Sequence, residues 1–522
     1  MTEVSGVGPI CREVGLQVPM SDGLSLVADC WRPTGDEQVP VLLMRLPYGR
    51  SVASTPVLPH PAWFARRGYA VVIQDSRGRG DSEGQFRPFL DEARDGAETI
   101  EWAAALPFSD GQVATYGFSY QGINQLYAAA ERPEGLRAIA PMMCCPDPYE
   151  GWTYYAGVPR WSFISLWAAQ LAGQELREGT IPYDLDALPM STALGDAPPD
   201  WFEEWIRSPD GTDPYWEVRR PNLSAIEVPV FSVLGWFDEF SSGTAALIEA
   251  LDAEAICGPW AHMPWSTQAS GFELGPGATP AIVGPRLLAF FDRVLKGIGE
   301  PPDEKIQWWS PRLGWSRAPQ WPPPTARPQE WTANSAGNAN SRNGDGSLTT
   351  QEINSPLMDL LVVEPHNPYP GELPFLQDEA ASEDRRDVIC YTSKELGTAL
   401  TVAGSPTVEV TVRADQPSID IVATLLIVTG SGESRALTTG VCRARIAGDT
   451  AVKVVLRPVG WTIDADQCLR LDLSGSRFPL FSRNPHTPYS LPSTSAADHV
   501  VATVEFLAAR LSLPVVPQSI PI

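Results

Sequence analysis

An α/β fold followed by an all-β domain is the class this chain predicts, and three observations carry it. Short continuous apolar runs alternate with helix-like spacing through the first part of the sequence. Residue types of nucleophilic hydrolysis sit just past the ends of three such runs. After Val388 the texture changes to short strands rich in Val, Thr, Leu and Ile with turns between them, as at 407–412. The first pattern argues buried parallel strands with helical crossovers, and the last argues a β-sandwich.

Taken in order, residues 39–45 and 69–75 read as buried parallel strands. Between 90 and 106, Ala93, Ala97, Ile100 and Ala104 recur at helical spacing, which predicts a helix. Strand-like runs follow at 113–116 and 136–141. Residues 149–221 break the alternation with dense aromatics and Pro-rich joints, reading as an insertion with helical stretches. The sheet resumes at 228–234 and 255–257, and an amphipathic helix is expected at 286–296. Prolines crowd 299–330, marking a boundary rather than an element, and Gly, Asn and Ser make 335–347 a loop. No internal repeat is visible. The predicted domains are therefore an α/β core over 1–148 and 222–318, an inserted cap over 149–221, and a β-sandwich over 319–522.

Gly117-Phe118-Ser119-Tyr120-Gln121-Gly122 follows the run at 113–116 and precedes a helix-like stretch. A serine on a sharp strand-to-helix turn has its hydroxyl lifted to the top of a sheet. The usual spelling is G-x-S-x-G. Here the second glycine comes one place later, and a serine between glycines is also compatible with an ordinary turn. Two further segments change the weight. Gly235-Trp236-Phe237-Asp238 and Gly258-Pro259-Trp260-Ala261-His262 each carry a catalytic residue type just beyond a strand, at the end where open α/β sheets do their chemistry. The order Ser119, Asp238, His262 is the nucleophile–acid–base order of the α/β-hydrolase fold. Of the five histidines, His60, His366 and His486 read as surface loop and His499 as part of a late strand. His262 is the candidate base. Tyr120 follows the nucleophile, so its backbone N–H is a candidate oxyanion donor.

Further elements run nearly end to end: Arg45-Leu46-Pro47-Tyr48, Asp75-Ser76-Arg77-Gly78-Arg79-Gly80-Asp81-Ser82-Glu83-Gly84, and Leu473-Ser474-Gly475-Ser476-Arg477-Phe478-Pro479. With the three motifs above, the chain resembles the CocE/NonD group of serine hydrolases, in which a G-x-S-Y-x-G elbow accounts for the displaced glycine. The resemblance implies a helical cap, a C-terminal jelly-roll domain, and the phenol of Tyr48 as a second oxyanion donor. It gives Trp152 and Trp167 the spacing of an aromatic pair in the cap, and these candidate substrate-binding residues are joined by Trp236 and Trp260 inside the acid and base motifs. Asp75 and Arg77 read as groups tying a turn together.

The expected reaction is cleavage of carboxylic esters, with amides as a secondary class, through an acyl-enzyme. An X-Pro dipeptidyl-peptidase or amino acid ester hydrolase would need an anionic site for a substrate amine, for which Glu239, Glu150 and Asp147 are the candidates. The D-x-E-D arrangement of α-amino acid ester hydrolases is missing, since Phe240 follows Glu239. A binding protein using only its β-sandwich is the remote alternative. No H-E-x-x-H cluster points to a metallohydrolase, so neither metal nor cofactor is expected.

Composition agrees. The 522 residues call for more than one domain. A formal charge of −25 argues against nucleic acid as a partner. No stretch approaches the roughly 20 apolar residues of a membrane span, and Met1-Thr2-Glu3-Val4-Ser5 shows no secretory signal. Eight scattered cysteines are no disulfide framework, so a reduced, cytoplasmic protein acting on a small ester or short peptide is expected, with a homodimer compatible with the sequence.

Overall fold

The computed structural model describes residues 9–52, 57–195, 198–352, 356–373, 375, 377–487 and 493–517. The stretch Met1-Thr2-Glu3-Val4-Ser5, read above for a signal, lies outside them. Strands β1 (Ile10–Pro19), β2 (Ser25–Pro33), β3 (Val39–Leu46), β4 (Ala70–Asp75), β5 (Ser109–Phe118) and β6 (Leu136–Met142) stand in the order β1-β2-β4-β3-β5-β6. β3, β4, β5 and β6 are parallel, with β1 and β2 antiparallel at the edge. Every residue of β3 and β4 is buried, which is why both are unbroken apolar runs instead of alternating ones.

Helices α1 (Pro61–Ala65), α2 (Glu92–Ala104) and α3 (Tyr120–Ala130) connect these strands. α2 forms where the apolar spacing predicts it, but it turns a different face inward. Glu92, Asp95, Gly96, Thr99, Ile100 and Ala103 are buried, while Ala93, Ala97 and Ala104 are only half-buried. Buried cations explain the rotation: Arg45 pairs with Glu92 at 2.7 Å and Arg77 with Asp95 at 2.6 Å. The carboxylates must face those partners, because an unpaired buried charge is costly.

Between β6 and the next core strand lies the aromatic insertion. It holds a short hairpin of β7 (Tyr154–Tyr155) and β8 (Val158–Pro159), then α4 (Trp161–Leu171), α5 (Asp200–Arg207) and α6 (Pro214–Glu217). The core resumes with β9 (Phe231–Phe237), α7 (Ser241–Ala250) and β10 (Glu254–Ala261), followed by the hairpin β11 (Gln268–Ala269) and β12 (Phe272–Glu273) and by α8 (Val283–Lys296). β9 lies beside β6 through the Ile139–Val230 bridge and a 2.9 Å bond from the Met143 N–H to the Val233 carbonyl, so the sheet continues. β13 (Ile306–Ser310) joins β10 in parallel and β14 (Gly314–Ala318) closes the edge antiparallel.

Those last two strands correct the reading of 299–330 as a boundary without an element. Pro301 and Pro302 precede β13, Pro311 lies in its turn, and Pro319 and Pro322 follow β14. The prolines flank the strands and leave their ladder hydrogen bonds intact.

From Arg327 onward the chain is mostly strand. Thr407–Ala414 alternates, with Val408, Val410 and Val412 buried. Ser418–Val428 pairs on both sides, with Ser434–Arg445 and Cys468–Ser474, and is buried over nearly its whole length. This domain packs directly on the core sheet. A Cβ on Gly460 would lie 2.6 Å from the Trp236 ring, Trp461 packs against Phe237 and Phe272, and the hydroxyls of Ser310 and Thr462 are 2.8 Å apart.

Two histidine expectations are overturned. His486 is buried, its Nδ1 bonded to the Val500 carbonyl at 2.7 Å, and does not sit on a surface loop. His499 ends a one-turn helix, Ala496–Asp498, ahead of the strand Ala502–Val516. All eight cysteines are free. Among the described residues no helix is long and apolar enough to cross a membrane.

Candidate active site

The turn between β5 and α3 is strained at one residue. Ser119 has φ 63° and ψ −130°, a left-handed conformation costing a non-glycine residue about 1–3 kcal/mol. Its N–H donates to the Met142 and Met143 carbonyls at 3.0 and 3.1 Å, tying the turn to the end of β6. Both flanking glycines are needed. At Gly117, φ is 151° and a Cβ would fall 2.5 Å from the Gln121 Cβ; at Gly122 it would fall 2.9 Å from the Cys144 Cβ and 3.0 Å from the Met142 carbonyl. The displaced second glycine therefore marks the residue of α3 that packs on β6.

Asp238 follows β9 and is fully buried; His262 follows β10, and its Nδ1 lies 2.7 Å from Asp238 Oδ1. An Nδ1–H donating to the carboxylate leaves Nε2 as the acceptor. Burial pulls the imidazolium pKa down, but the charge and hydrogen bond of Asp238 outweigh it, so the value stands above the ordinary one. The ring is walled by Phe118 and Phe240, with centroids 5.4 and 5.2 Å away.

Ser119, His262 and Tyr48 line one cavity of about 260 Å³. The Tyr48 hydroxyl accepts from Trp167 Nε1 at 3.1 Å and shares the cavity with Ser119. Burial raises its pKa, which keeps the phenol protonated and able to donate. Tyr120 is the first residue of α3, so no carbonyl of its own helix reaches its N–H. The arrangement brings a hydroxyl, a phenol and an imidazole–carboxylate pair to one crevice at the carboxyl ends of parallel strands.

Of the four tryptophans expected at the substrate, only Trp167 lines the cavity. Trp152 is fully buried behind it, packed on Tyr120, Trp167 and Phe240. Trp236 donates to the Trp309 carbonyl at 3.1 Å and stacks on Trp321; Trp260 donates to the Ala278 carbonyl at 2.8 Å and stacks on Trp265. These two indoles are framework, their N–H groups spent on neighbouring segments. The cavity wall is instead Leu46, Phe118, Phe163, Leu166 and Met263, with Gln170 at the edge. Phe163, Leu166, Trp167 and Gln170 form one helical stripe of α4, and that spacing was a readable signal. Phe118 and Met263 adjoin Ser119 and His262 in the chain.

The three carboxylates considered for an amine site are differently placed. Glu239 reaches the cavity, but the buried Arg160 holds it at 3.1 Å. Asp147 pairs with Arg220 at 2.9 Å and caps the Tyr149 N–H. Glu150 accepts from the Ala156 N–H. Asp75 is held by Arg50 and Arg77 by Asp95, as turn-tying groups. No cluster of three or more His, Cys, Asp or Glu able to hold a metal exists among the described residues.

Residues 22–264 match the family of X-Pro dipeptidyl-peptidases (S15 family), and residues 296–504 match the X-Pro dipeptidyl-peptidase C-terminal non-catalytic domain. Cocaine esterase of Rhodococcus sp. (strain MB1 Bresler) is 28% identical, over 90% of this chain and 92% of its own. Two solved structures share the fold. An aminopeptidase of the marine sediment archaeon Thaumarchaeota archaeon superposes with a TM-score of 0.83 at 20% identity, covering 97% of both chains. An α-amino acid ester hydrolase gives 0.82 at 21% identity, covering 97% of this chain and 96% of its own. The chain belongs to the CocE/NonD family of serine hydrolases.

Proposed function

We propose that the protein is an esterase in which Ser119 attacks the acyl carbonyl, His262 is the general base and Asp238 orients it. As the Ser119 Oγ–carbon bond forms, the hydroxyl proton passes to His262 Nε2. The tetrahedral oxyanion accepts from the Tyr48 phenol and the Tyr120 N–H. Collapse breaks the bond to the alcohol, which leaves with the proton from His262. Water then repeats the sequence on the acyl-enzyme and releases the acid. The observation that carries this reading is the 2.7 Å His262–Asp238 contact in the same cavity as the strained Ser119.

The apolar wall of the cavity suits an uncharged acyl or aromatic group. Glu239 is engaged by Arg160, which favours a neutral ester over a peptide with a free amine. The same reading makes the strand-rich domain a jelly roll, supported by its long antiparallel ladders, and divides the chain after 148, 221 and 318. Unpaired cysteines favour a reducing compartment, the cytoplasm.

The test compares fluorophosphonate labelling of wild type and Ser119→Ala, then turnover of p-nitrophenyl esters of rising acyl length against an X-Pro-anilide. Labelling lost in Ser119→Ala and ester turnover above anilide turnover are expected. Labelling that survives Ser119→Ala removes the nucleophile, and anilide turnover without ester turnover replaces the esterase reading with an exopeptidase.

A further inference from the structure

We propose that Glu92 is a positioning residue that holds both oxyanion donors in register through its two carboxylate oxygens. The inference rests on the assignment of the Tyr48 phenol and the Tyr120 N–H as those donors.

One arm runs to Tyr120. Its side chain turns away from the cavity and is fully buried, with the hydroxyl donating to Glu92 Oε1 at 3.0 Å and accepting from the Phe89 N–H at 3.0 Å. The backbone N–H of the same residue adjoins Ser119, whose left-handed φ biases the peptide between them to relax. Anchoring the phenol at its far end opposes that relaxation. The elbow tyrosine thus works through its backbone in the cavity and through its side chain beneath it.

The other arm runs to β3. Arg45 Nη1 donates to Glu92 Oε2 at 2.7 Å, and its Nε donates to Gln74 Oε1 at 2.8 Å. The Arg45 carbonyl accepts from Asn124 Nδ2 of α3 at 2.9 Å. Tyr48 follows Arg45 across Leu46 and Pro47, so fixing the guanidinium fixes the strand end from which the phenol projects. Arg45 and Glu92 are each about 5% exposed. A buried pair of this kind defines distance sharply, since neither partner has water as an alternative. α2 comes this close because Gly96 carries no side chain: a Cβ there would lie 2.5 Å from the Ala128 Cβ and 3.0 Å from Arg45 Nη1.

A misplaced donor stabilises the transition state less while leaving ground-state binding intact. Glu92→Gln presents one acceptor oxygen where two are needed, and Tyr120→Phe removes one arm with a single oxygen atom. Each is expected to lower kcat about tenfold to a hundredfold with KM within about twofold. The double variant is expected to be no slower than Glu92→Gln alone, because both changes cut one tether. Steady-state kinetics on a p-nitrophenyl ester, with circular dichroism to verify folding, reads all three. Wild-type kcat in folded Tyr120→Phe, a raised KM with kcat unchanged, or losses that multiply in the double variant would overturn the role of Glu92. Tyr120→Phe decides the matter even where Glu92→Gln does not fold. Ser119→Ala separates the two levels: surviving fluorophosphonate labelling overturns the site itself, whereas lost labelling with unimpaired Tyr120→Phe overturns the tether alone.

Discussion

The two sides of the crevice are held by different forces. On the nucleophile side, position comes first from the backbone, a left-handed Ser119 and two glycines with no room for a Cβ, with the Glu92 carboxylate as one side-chain tether beneath them. On the acid–base side, position comes from side chains. His262 is gripped by Asp238 and walled by Phe118 and Phe240, and Phe240 lies under the guanidinium of Arg160, which in turn holds Glu239. Arg160 comes from the inserted segment, so the insertion contributes to the electrostatics around the base. A backbone-defined element has little latitude for tuning, because any shift meets a clash or strain. A side-chain-defined one can be adjusted in pKa without moving the chain.

The largest test of that contrast is Ser119→Ala, expected to cut ester turnover by on the order of 10⁵-fold in kcat while leaving the melting temperature at or above that of wild type, since alanine at φ 63° loses no side-chain bond that folding requires. Turnover within tenfold of wild type would break the nucleophile assignment. Tyr48→Phe comes next, with a loss of about 10²–10³ in kcat from one missing oxyanion donor; near-normal turnover would take the phenol out of the reaction. Gly117→Ala follows. Its Cβ has to displace Gln121, and the expected result is a destabilisation of about 1–3 kcal/mol in urea unfolding together with reduced kcat. An unchanged midpoint would show that the elbow is more compliant than its geometry implies.

The smallest effects belong to the acid–base side and are read in pH. His262 must be neutral to accept a proton, and its pKa stands above the ordinary value of about 6.5. The acid limb of kcat/KM is therefore expected at higher pH than a free histidine would give. The stability sign runs the other way. A group whose folded pKa is raised contributes fully below its unfolded pKa, and that contribution fades as pH rises through the folded value. Activity and this share of stability should cross in the same window, measurable by a rate profile beside a thermal melt series. In Glu239→Gln a nearby negative charge is lost and Arg160 stays, so the acid limb is expected to move to lower pH with the alkaline plateau little changed. A limb that moves upward would mean that Glu239 does not act on the base.

What could be read from the chain alone follows the same division. Catalytic residue types at strand ends were legible because each sits in a short motif that opens on a glycine two to four places earlier, and backbone requirements leave such marks. The apolar runs of β3 and β4 were legible because burial on both faces demands them. β13 and β14 were not, because strands of that length flanked by Pro301, Pro302, Pro311 and Pro319 carry too little pattern to stand out from a linker. The inward face of α2 was misread because Glu92 and Asp95 look like solvent-facing carboxylates until Arg45 and Arg77 are seen beneath them. Trp236 and Trp260 were assigned to the substrate by proximity in sequence to Asp238 and His262, yet their indole N–H groups donate to the Trp309 and Ala278 carbonyls and the rings pack into the framework.

The contact between Gly460 and the Trp236 ring has a practical consequence. Trp236 stands two places before Asp238, with its indole sealed by the strand-rich domain and by Trp321. Cutting the chain after β14 would bare that indole and the aromatic seam of Phe237 and Phe272 to water. The C-terminal half thereby serves as the back wall against which the acid-bearing strand is seated, and an enzyme trimmed to its α/β portion would come out of a cell as aggregate.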